Sequence, residues 1–252
     1  MELLFLGTGA ADRMRLEQDN DFLNHDNRRC SAAIIDRHIL LDCGPHVLNS
    51  LSVAGINFAE ITDICITHFH ADHFDADSFN AIASAAKHPI SLWYRADAVI
   101  NNELINCEKC PMEPYKSYMI GCYQFTGLLS NHEAFPQHFS IEKDEKKLFY
   151  GLDGAWMLGD SVRYMQGREY SHIILDATVG DYSGDYRMGE HNSIPMIRLM
   201  TESMKTLKII NDKTNILLSH LAVCLHKTHR ETCDIVSKDG YTVAYDGMIV
   251  NI

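Results

Sequence analysis

The stretch from His68 to His73 concentrates side chains that bind metal ions. It reads His-Phe-His-Ala-Asp-His, so three imidazoles and one carboxylate fall within six residues. These groups are typical ligands of Zn²⁺, Mn²⁺ and iron, and the absence of an adjacent thiolate argues against a cysteine-rich structural site. In an extended segment His68 and His70 share one face, whereas a following turn directs Asp72 and His73 to a second point. The loop can therefore serve two metal ions.

Single candidates for the remaining ligands occur later in the chain, each after an apolar run. His132 follows residues 127–131, Asp153 follows residues 148–152, and His220 follows residues 216–219. Taken alone, each of them would be ordinary as a capping residue or a polar core residue. Their shared placement after an apolar run favours one common site.

Short apolar runs predict the strands that position these loops. They cover residues 3–6, 32–36, 39–41, 64–67, 139–141, 148–150, 173–175, 216–218 and 248–252. Helices are predicted over 76–86, 158–165 and 194–207, the last from apolar residues at spacings of three and four. Strands cluster once in each half of the chain, with helices between them. We therefore predict an α/β fold, a four-layer sandwich of two sheets packed on each other with helices outside.

Composition limits the partners. The 252 residues include 22 Lys and Arg against 34 Asp and Glu, a formal charge of −12. Nucleic acid and anionic membranes are bound by basic faces, so both are disfavoured as partners. The first residues do not predict a secretory signal, and no run approaches the ~20 apolar residues of a membrane helix. Together with eight scattered cysteines, typical of reduced thiols, this predicts a cytoplasmic protein.

Several motifs, taken in order, resemble the metallo-β-lactamase superfamily. They are Leu6-Gly7-Thr8-Gly9, Leu41-Asp42-Cys43-Gly44, the His68–His73 loop, and then His132, Asp153 and His220. The resemblance covers essentially the whole chain, which implies one domain over 1–252 with two mixed sheets. Within it we predict an insertion at 95–121, containing a helix over Asp97–Ile105 and a turn. The segment Ala244-Tyr245-Asp246-Gly247-Met248 is most similar to the cyclic phosphodiesterases of phosphonate breakdown.

The resemblance also implies a ligand set. One metal ion is held by His68, His70 and His132, and a second by Asp72, His73 and His220, with Asp153 bridging. Zn²⁺, Mn²⁺ or iron would satisfy these donors. The implied reaction is hydrolysis of a phosphodiester, a small cyclic ribose or nucleotide-like phosphate, by a hydroxide that bridges the two ions.

Two residues are implied as catalytic. Asp72 would orient the hydroxide besides acting as a ligand. His191, in Gly-Glu-His-Asn-Ser-Ile, lies where the family places a further histidine, and it would donate a hydrogen bond to the phosphoryl oxygen or protonate the leaving group. Without the resemblance, His191 would read as a residue capping the 194–207 helix.

Alternatives remain open. The tRNA 3′-processing endoribonucleases share nearly all of the ligands, but they add a basic arm, whereas segment 95–121 is net negative. A thioester hydrolase of the glyoxalase type would use a similar site for carbonyl chemistry. A metal-binding carrier without turnover is the non-enzymatic alternative. The sequence leaves the oligomeric state open, a homodimer included.

Three further features of the sequence are weaker signals of function. Cys107 and Cys110 have the spacing of a zinc knuckle, although two reduced thiols in a surface turn are the favoured interpretation. Residues 181–187 form a candidate lip over the metals, with Arg187 suited to a phosphate, a ribose or a base. The pair Arg28-Arg29 could bind phosphate or simply lie at a strand entrance.

Overall fold

The structure, a computed structural model, describes residues 1–13 and 21–252. Fourteen strands in these residues form two sheets of seven. In chain order they are β1 (Glu2–Gly7), β2 (Ala32–Ile35), β3 (Ile39–Leu41), β4 (Asp63–Cys65), β5 (Ile90–Arg95), β6 (Cys107–Met112), β7 (Ser117–Ile120), β8 (Tyr123–Leu129), β9 (Gln137–Lys143), β10 (Lys146–Gly151), β11 (His172–Asp176), β12 (Asn215–Ser219), β13 (Tyr241–Val243) and β14 (Ile249–Asn251).

The two sheets have matching topologies. The first runs β14-β1-β2-β3-β4-β5-β6, and the second runs β13-β12-β11-β10-β9-β8-β7. In the first sheet, pairing is antiparallel from β14 to β3 and parallel from β3 to β6. In the second sheet, pairing is antiparallel from β7 to β10 and parallel from β10 to β13. Both sheets are therefore mixed, as predicted.

Strand β1 shows why its sequence is apolar at every position. Leu3 and Phe5 face the second sheet and join the core between the sheets, whereas Leu4 and Leu6 face the helices on the other side. Successive side chains of a strand point to opposite faces, so a strand covered on both sides needs a continuous apolar run rather than an alternating one. This burial on both faces makes the central strands readable in the sequence.

Five α-helices in the described residues cover the outer faces. They are α1 (Val47–Val53), α2 (Ala76–Ala85), α3 (Gly159–Met165), α4 (Ile194–Thr206) and α5 (His229–Val236). Helices α1 and α2 pack on the first sheet, and α3, α4 and α5 on the second, which confirms the four-layer sandwich. The Ser193 side chain caps α4 by accepting from the Met196 N–H, and the predicted helices match α2, α3 and α4. None of the described helices is long and apolar enough to cross a membrane.

The prediction of a helix over Asp97–Ile105 is wrong. These residues form irregular loop structure, and the chain then continues into β6 and β7, the outermost strands of the two sheets. The side chain of Asn80 on α2 explains part of this, since it donates to Glu103 O and accepts from the Ile105 N–H. Asparagine and β-branched residues in this segment also have low helix propensity.

Strands β5, β6, β7, β8 and β13 are absent from the sequence prediction. Strand β5 alternates between buried and half-buried residues, and β6, with the sequence Cys-Glu-Lys-Cys-Pro-Met, has mostly exposed or half-buried side chains. An edge strand that buries little surface carries no strong apolar pattern. The missed strands lie mainly on the outer parts of the sheets, away from the central β10–β12.

Candidate metal centre

The predicted ligands come together at one end of the two sheets. The loop 67–73 leaves the carboxyl end of β4, His132 follows β8, Asp153 follows β10, and His220 follows β12. Carboxyl ends of neighbouring parallel strands open at the same edge of a sheet, where α/β proteins commonly place their sites. Both sheets therefore contribute side chains to one cluster.

The first group of donor atoms comes from three histidines. Nδ1 of His70 lies 3.1 Å from Nε2 of His68 and 3.1 Å from Nε2 of His132. Oδ1 of Asp153 lies 3.6 Å from Nε2 of His132 and 4.0 Å from Nε2 of His68. Four donor atoms thus surround one point.

The second group lies on the other side of the same carboxylate. Nε2 of His73 and Nε2 of His220 are 3.2 Å apart. Oδ2 of Asp72 is 3.3 Å from the His73 nitrogen and 3.6 Å from the His220 nitrogen. Oδ2 of Asp153 is 2.9 Å and 3.1 Å from the same two nitrogens. We call the seven residues of the two groups the floor of the site: His68, His70, Asp72, His73, His132, Asp153 and His220.

These spacings fit bound metal ions. Ligands at about 2.0–2.1 Å from a tetrahedral metal lie roughly 3.3 Å from one another, close to the separations of the floor atoms. Oδ2 of Asp153 is fully buried without a hydrogen-bond partner, which is costly for a carboxylate oxygen unless a cation satisfies it. The floor therefore fits bound metal, with one carboxylate oxygen of Asp153 facing each group of donor atoms.

Outer hydrogen bonds orient the imidazoles. His73 Nδ1 donates to Oδ2 of Asp42 at 2.8 Å, and His220 Nδ1 lies 2.8 Å from Oγ1 of Thr178. His132 Nδ1 lies 3.3 Å from the backbone oxygen of Glu190. Holding one ring nitrogen in this way fixes the tautomer and directs the other nitrogen inward, as in metal sites generally.

The backbone is unusual at three strand ends. Asp42, Asp153 and His220 have φ of 63°, 54° and 57°, in the left-handed region. Aspartate tolerates this conformation better than most residues, and strained backbone of this kind concentrates at functional sites. The tight turns direct each side chain towards the cluster immediately after its strand.

Two motifs of the sequence analysis have structural explanations here. A Cβ at Gly44 would lie 1.9 Å from Asp72 O, so only glycine permits the 42–44 turn to approach the metal loop. Oδ1 of Asp42 then accepts the N–H of Thr67, tying the loop to β3.

The Leu-Gly-Thr-Gly motif is tied to the Arg28-Arg29 pair. Thr8 Oγ1 accepts from Arg28 and donates to Asp246, and Asp246 also accepts from the backbone N–H of Arg29. Both arginines are buried in this network, which links the start of the chain to its C-terminal segment. The interpretation of Arg28-Arg29 as a structural pair is therefore the better one.

His191 lies beside the floor. Its Nδ1 is 2.7 Å from Oδ2 of Asp176 and 3.8 Å from Oδ1 of Asp153, which leaves Nε2 on the other side of the ring. Burial by itself lowers the pKa of His191, but the neighbouring carboxylates of Asp176, Asp153 and Glu190 outweigh it and raise the pKa to about 9.

Sequence reasoning missed Asp176 and Thr178. Asp176 is completely buried at the end of β11, and its carboxylate accepts from the N–H and Oγ1 of Thr178 besides contacting His191. A signal was present, because Asp176 follows the apolar run 173–175 as Asp153 follows its own run. Asp42 was recognised within a motif, but its bond to His73 could not be read from the sequence.

A cavity of about 230 Å³ opens above the floor. Besides floor residues, it is lined by Ala10, Ala11, Asp12, Thr178, Arg187, Glu190, His191 and Ala222. We call Asp12, Arg187 and Glu190 the rim. Of the predicted 181–187 lip, Arg187 reaches this cavity, whereas Tyr182 and Tyr186 are exposed to solvent.

Cys107 and Cys110 do not form a knuckle. Both lie on β6, where a spacing of three residues places their side chains on opposite faces. Cys107 packs against the core beneath α2. In residues 1–13 and 21–252, the clusters of three or more possible metal-binding side chains contain only histidine and aspartate.

Solved structures of other proteins have the same architecture. A solved metallo-β-lactamase fold protein, YhfI from Bacillus subtilis, superposes with a TM-score of 0.72 and 13% identity, over 99% of both chains. The chain has the metallo-β-lactamase fold. A diphosphatase of the PhnP family superposes with a TM-score of 0.73 and 17% identity, over 99% of this chain and 96% of the other.

Sequence matches cover less of this metallo-β-lactamase-fold chain. The model of the family described as Anti-Pycsar protein Apyc1 matches residues 1–79. A ribonuclease Z from Agathobacter rectalis is 56% identical over 35 residues, which is 14% of this chain and 12% of that protein. The match with the curated relative is therefore local.

Proposed function

We propose that the protein is a dinuclear metal-dependent phosphodiesterase acting on a small cyclic ribose or nucleotide-like phosphate. The observation that carries this proposal is the placement of the two Asp153 oxygens, each facing a separate group of donor atoms. A carboxylate shared in this way is the arrangement that a two-metal hydrolase requires. The PhnP-family diphosphatase, which has the same fold, supports phosphorus chemistry.

In this proposal the floor residues are divided between two ions. His68, His70 and His132 would hold one divalent ion and Asp72, His73 and His220 the other, with Asp153 shared between the two groups. When bound, such ions lower the pKa of a water molecule and stabilise negative charge on a phosphoryl group. Zn²⁺, Mn²⁺ and Fe²⁺ all suit imidazole and carboxylate donors.

The protein's own groups complete the reaction. The carboxylate of Asp72 faces the second donor group, where it is placed to orient the attacking water. Asp176 holds Nδ1 of His191 and leaves Nε2 to donate to a phosphoryl oxygen or to the leaving alkoxide. Because His191 is 16% exposed in its side chain and lines the cavity, a substrate there can reach it.

The size and charge of the site favour a small substrate. The cavity of about 230 Å³ is bordered by Asp12 and Glu190, and the chain carries a net charge of −12. A polyanion such as tRNA is bound by basic surfaces, which this opening lacks among the described residues. A single phosphodiester carries one negative charge and requires only the local field of the site.

A tRNA-processing endoribonuclease is the second candidate, favoured by the local match to ribonuclease Z. Residues 107–112 and 117–120 are edge strands of the two sheets, so this part of the predicted insertion does not supply a separate arm. Cleavage of a tRNA precursor with steep salt dependence would favour this candidate over the first.

The test is hydrolysis of bis(4-nitrophenyl) phosphate, of 3′,5′- and 2′,3′-cyclic nucleotides and of a tRNA precursor by protein loaded with Zn²⁺ or Mn²⁺. We expect turnover of a cyclic phosphate that chelation abolishes. Asp153→Asn should reduce kcat/KM by more than about a thousandfold and lower the bound metal content, since it removes the shared charge.

Asp212→Asn is the matched control, because the Asp212 side chain is 97% exposed and is not one of the floor residues. It should leave both measurements unchanged. Two bound metals without cleavage of any phosphodiester would overturn the proposal, and would direct attention to thioesters or to a metal carrier.

A further inference from the structure

Arg187 is held rigidly at the rim before any substrate arrives. Its Nε donates to Oδ1 of Asp185 at 2.9 Å and its Nη2 donates to Oδ2 at 2.8 Å. The same carboxylate accepts the backbone N–H of Arg187 at 2.9 Å, and the guanidinium lies 5.2 Å from the ring centre of Tyr186. A fork fixed on two sides loses little freedom when it binds a ligand.

Arg187 and His191 lie one turn apart on the same short segment. The N–H of His191 donates to the backbone oxygen of Arg187 at 2.8 Å, which is the bond of a helical turn. Residues spaced in this way share a face, with Cβ atoms about 5–6 Å apart. A phosphoryl group held at His191 therefore leaves the adjoining, uncleaved part of the substrate beside Arg187.

The charges around Arg187 determine what it can recognise. Asp185 neutralises the guanidinium, and Asp12 and Glu190 add negative charge to the rim. Arg187 is the sole lysine or arginine among the described residues that line the cavity. A second phosphate would thus meet net negative charge, whereas the guanidinium N–H groups that are not bonded to Asp185 or to the Cys224 thiol can donate to a neutral acceptor.

We propose that Arg187, positioned by Asp185, selects substrates by donating hydrogen bonds to a neutral acceptor on the nucleobase of a cyclic nucleotide. This rests on the proposed phosphodiesterase function and deepens it. The cleaved group is bound by the floor and His191, and the base is read one turn away. Asp185 is a positioning residue, since it acts through Arg187.

The test compares cyclic uridine monophosphate with the matching methyl riboside cyclic phosphate, which has the same diester and no base. Both compounds are used as the cyclic isomer, 3′,5′ or 2′,3′, that the wild-type protein binds more tightly. Calorimetry on the zinc-loaded protein measures binding, and steady-state kinetics separates KM from kcat. Arg187→Ala should weaken binding of the uridine compound about ten- to hundredfold, with kcat within about threefold. Its effect on the baseless compound should be at least tenfold smaller.

Further variants distinguish directed donors from charge. Arg187→Lys keeps the charge without the fork and should not restore binding of the uridine compound. Asp185→Ala should weaken that binding by releasing the guanidinium, and Asp185→Asn, which keeps an acceptor oxygen, should restore part of it. Arg163→Ala is the control, because Arg163 also forms an ion pair with a neighbouring aspartate, Asp160, on the exposed face of α3.

The outcomes separate the two proposals. If the wild-type protein binds the uridine compound more tightly than the baseless one but cleaves neither, the phosphodiesterase proposal fails while the role of Arg187 is still measured by binding. Equal losses of Arg187→Ala on both compounds, a loss confined to kcat, or full rescue by Arg187→Lys would each overturn the inference. Binding of neither compound by the wild-type protein would overturn it as well.

Discussion

The floor and the rim of the cavity are built in contrasting ways. Floor residues follow the ends of β4, β8, β10 and β12, and their outer atoms are bonded to groups such as Asp42 and Thr178. Rim residues lie on short turns, and Asp12 and Glu190 are exposed. The sheets thus fix the reactive centre, whereas the turns can vary without disturbing them. We expect floor changes to affect metal binding and turnover, and rim changes to affect the choice of substrate.

The largest expected effect belongs to His191, which stands between the two regions. His191→Gln should lower kcat/KM for a cyclic phosphate by about a hundred- to ten-thousandfold, because it removes the proton donor. Metal content should stay unchanged, since the seven floor donors are intact. His88→Gln, at an exposed position, is the control. Loss of bound metal in His191→Gln would place His191 within the floor instead.

A smaller effect is expected one layer behind the floor. Asp42→Asn removes the carboxylate that accepts from His73 and should weaken metal affinity about 10–100-fold. Asparagine tolerates the left-handed backbone at residue 42, so the turn itself should survive. Competition with a zinc chelator measures the affinity. Asp144→Asn is the matched control, because Asp144 has a φ of 54° in an exposed turn; unchanged affinity in Asp42→Asn would show that the outer bond has no influence.

The smallest effect concerns stability rather than the site. Burial holds His226 neutral, with Nε2 donating to Ala177 O at 2.7 Å, and lowers its pKa to about 4 despite the nearby carboxylates of Asp12 and Asp176. Arg28 lowers it further. Since the unfolded chain binds this proton near pH 6.5, His226 reduces the free energy of unfolding by about 2 kcal/mol between pH 7 and pH 5.

His226→Gln keeps a donor for Ala177 O and cannot be protonated. Urea unfolding at pH 7 and pH 5 should therefore show a smaller acid loss for His226→Gln than for the wild-type protein. An equal loss in both would mean that His226 does not couple protonation to unfolding. The comparison also separates acid inactivation by unfolding from acid effects on the floor.

The part of the site that the sequence predicts is the part that is continuous in the chain. The His68–His73 loop shows its donors side by side, and the scattered donors were found because each follows an apolar run. Asp42 could not be assigned, because its partner His73 lies 31 residues away and only the parallel pairing of β3 with β4 brings them together. The rim was least predictable, since the link between Arg187 and His191 depends on one local turn.

The same reasoning explains the errors in the fold. Residues 97–105 were predicted as a helix within the predicted insertion at 95–121, and Asn80 of α2 instead binds their backbone. Strand β6 was missed because pairing with β5, rather than burial, holds it in place. Hydropathy patterns in the sequence indicate which residues are buried. They do not indicate backbone contacts made by exposed segments at the edges of the fold.

The edge strands of the two sheets also affect whether copies of the chain associate with one another. Among the described strands, β6 leaves one edge of the first sheet unpaired, and an open edge is a template on which another chain can add a strand. Pro111 lacks an N–H, and Glu108 and Lys109 place charges beside it, so this edge is a poor template. The edge strands β13 and β14 have three residues each, and β7 has four. These features thus disfavour edge-to-edge pairing between the sheets of two copies, which would lead to aggregation.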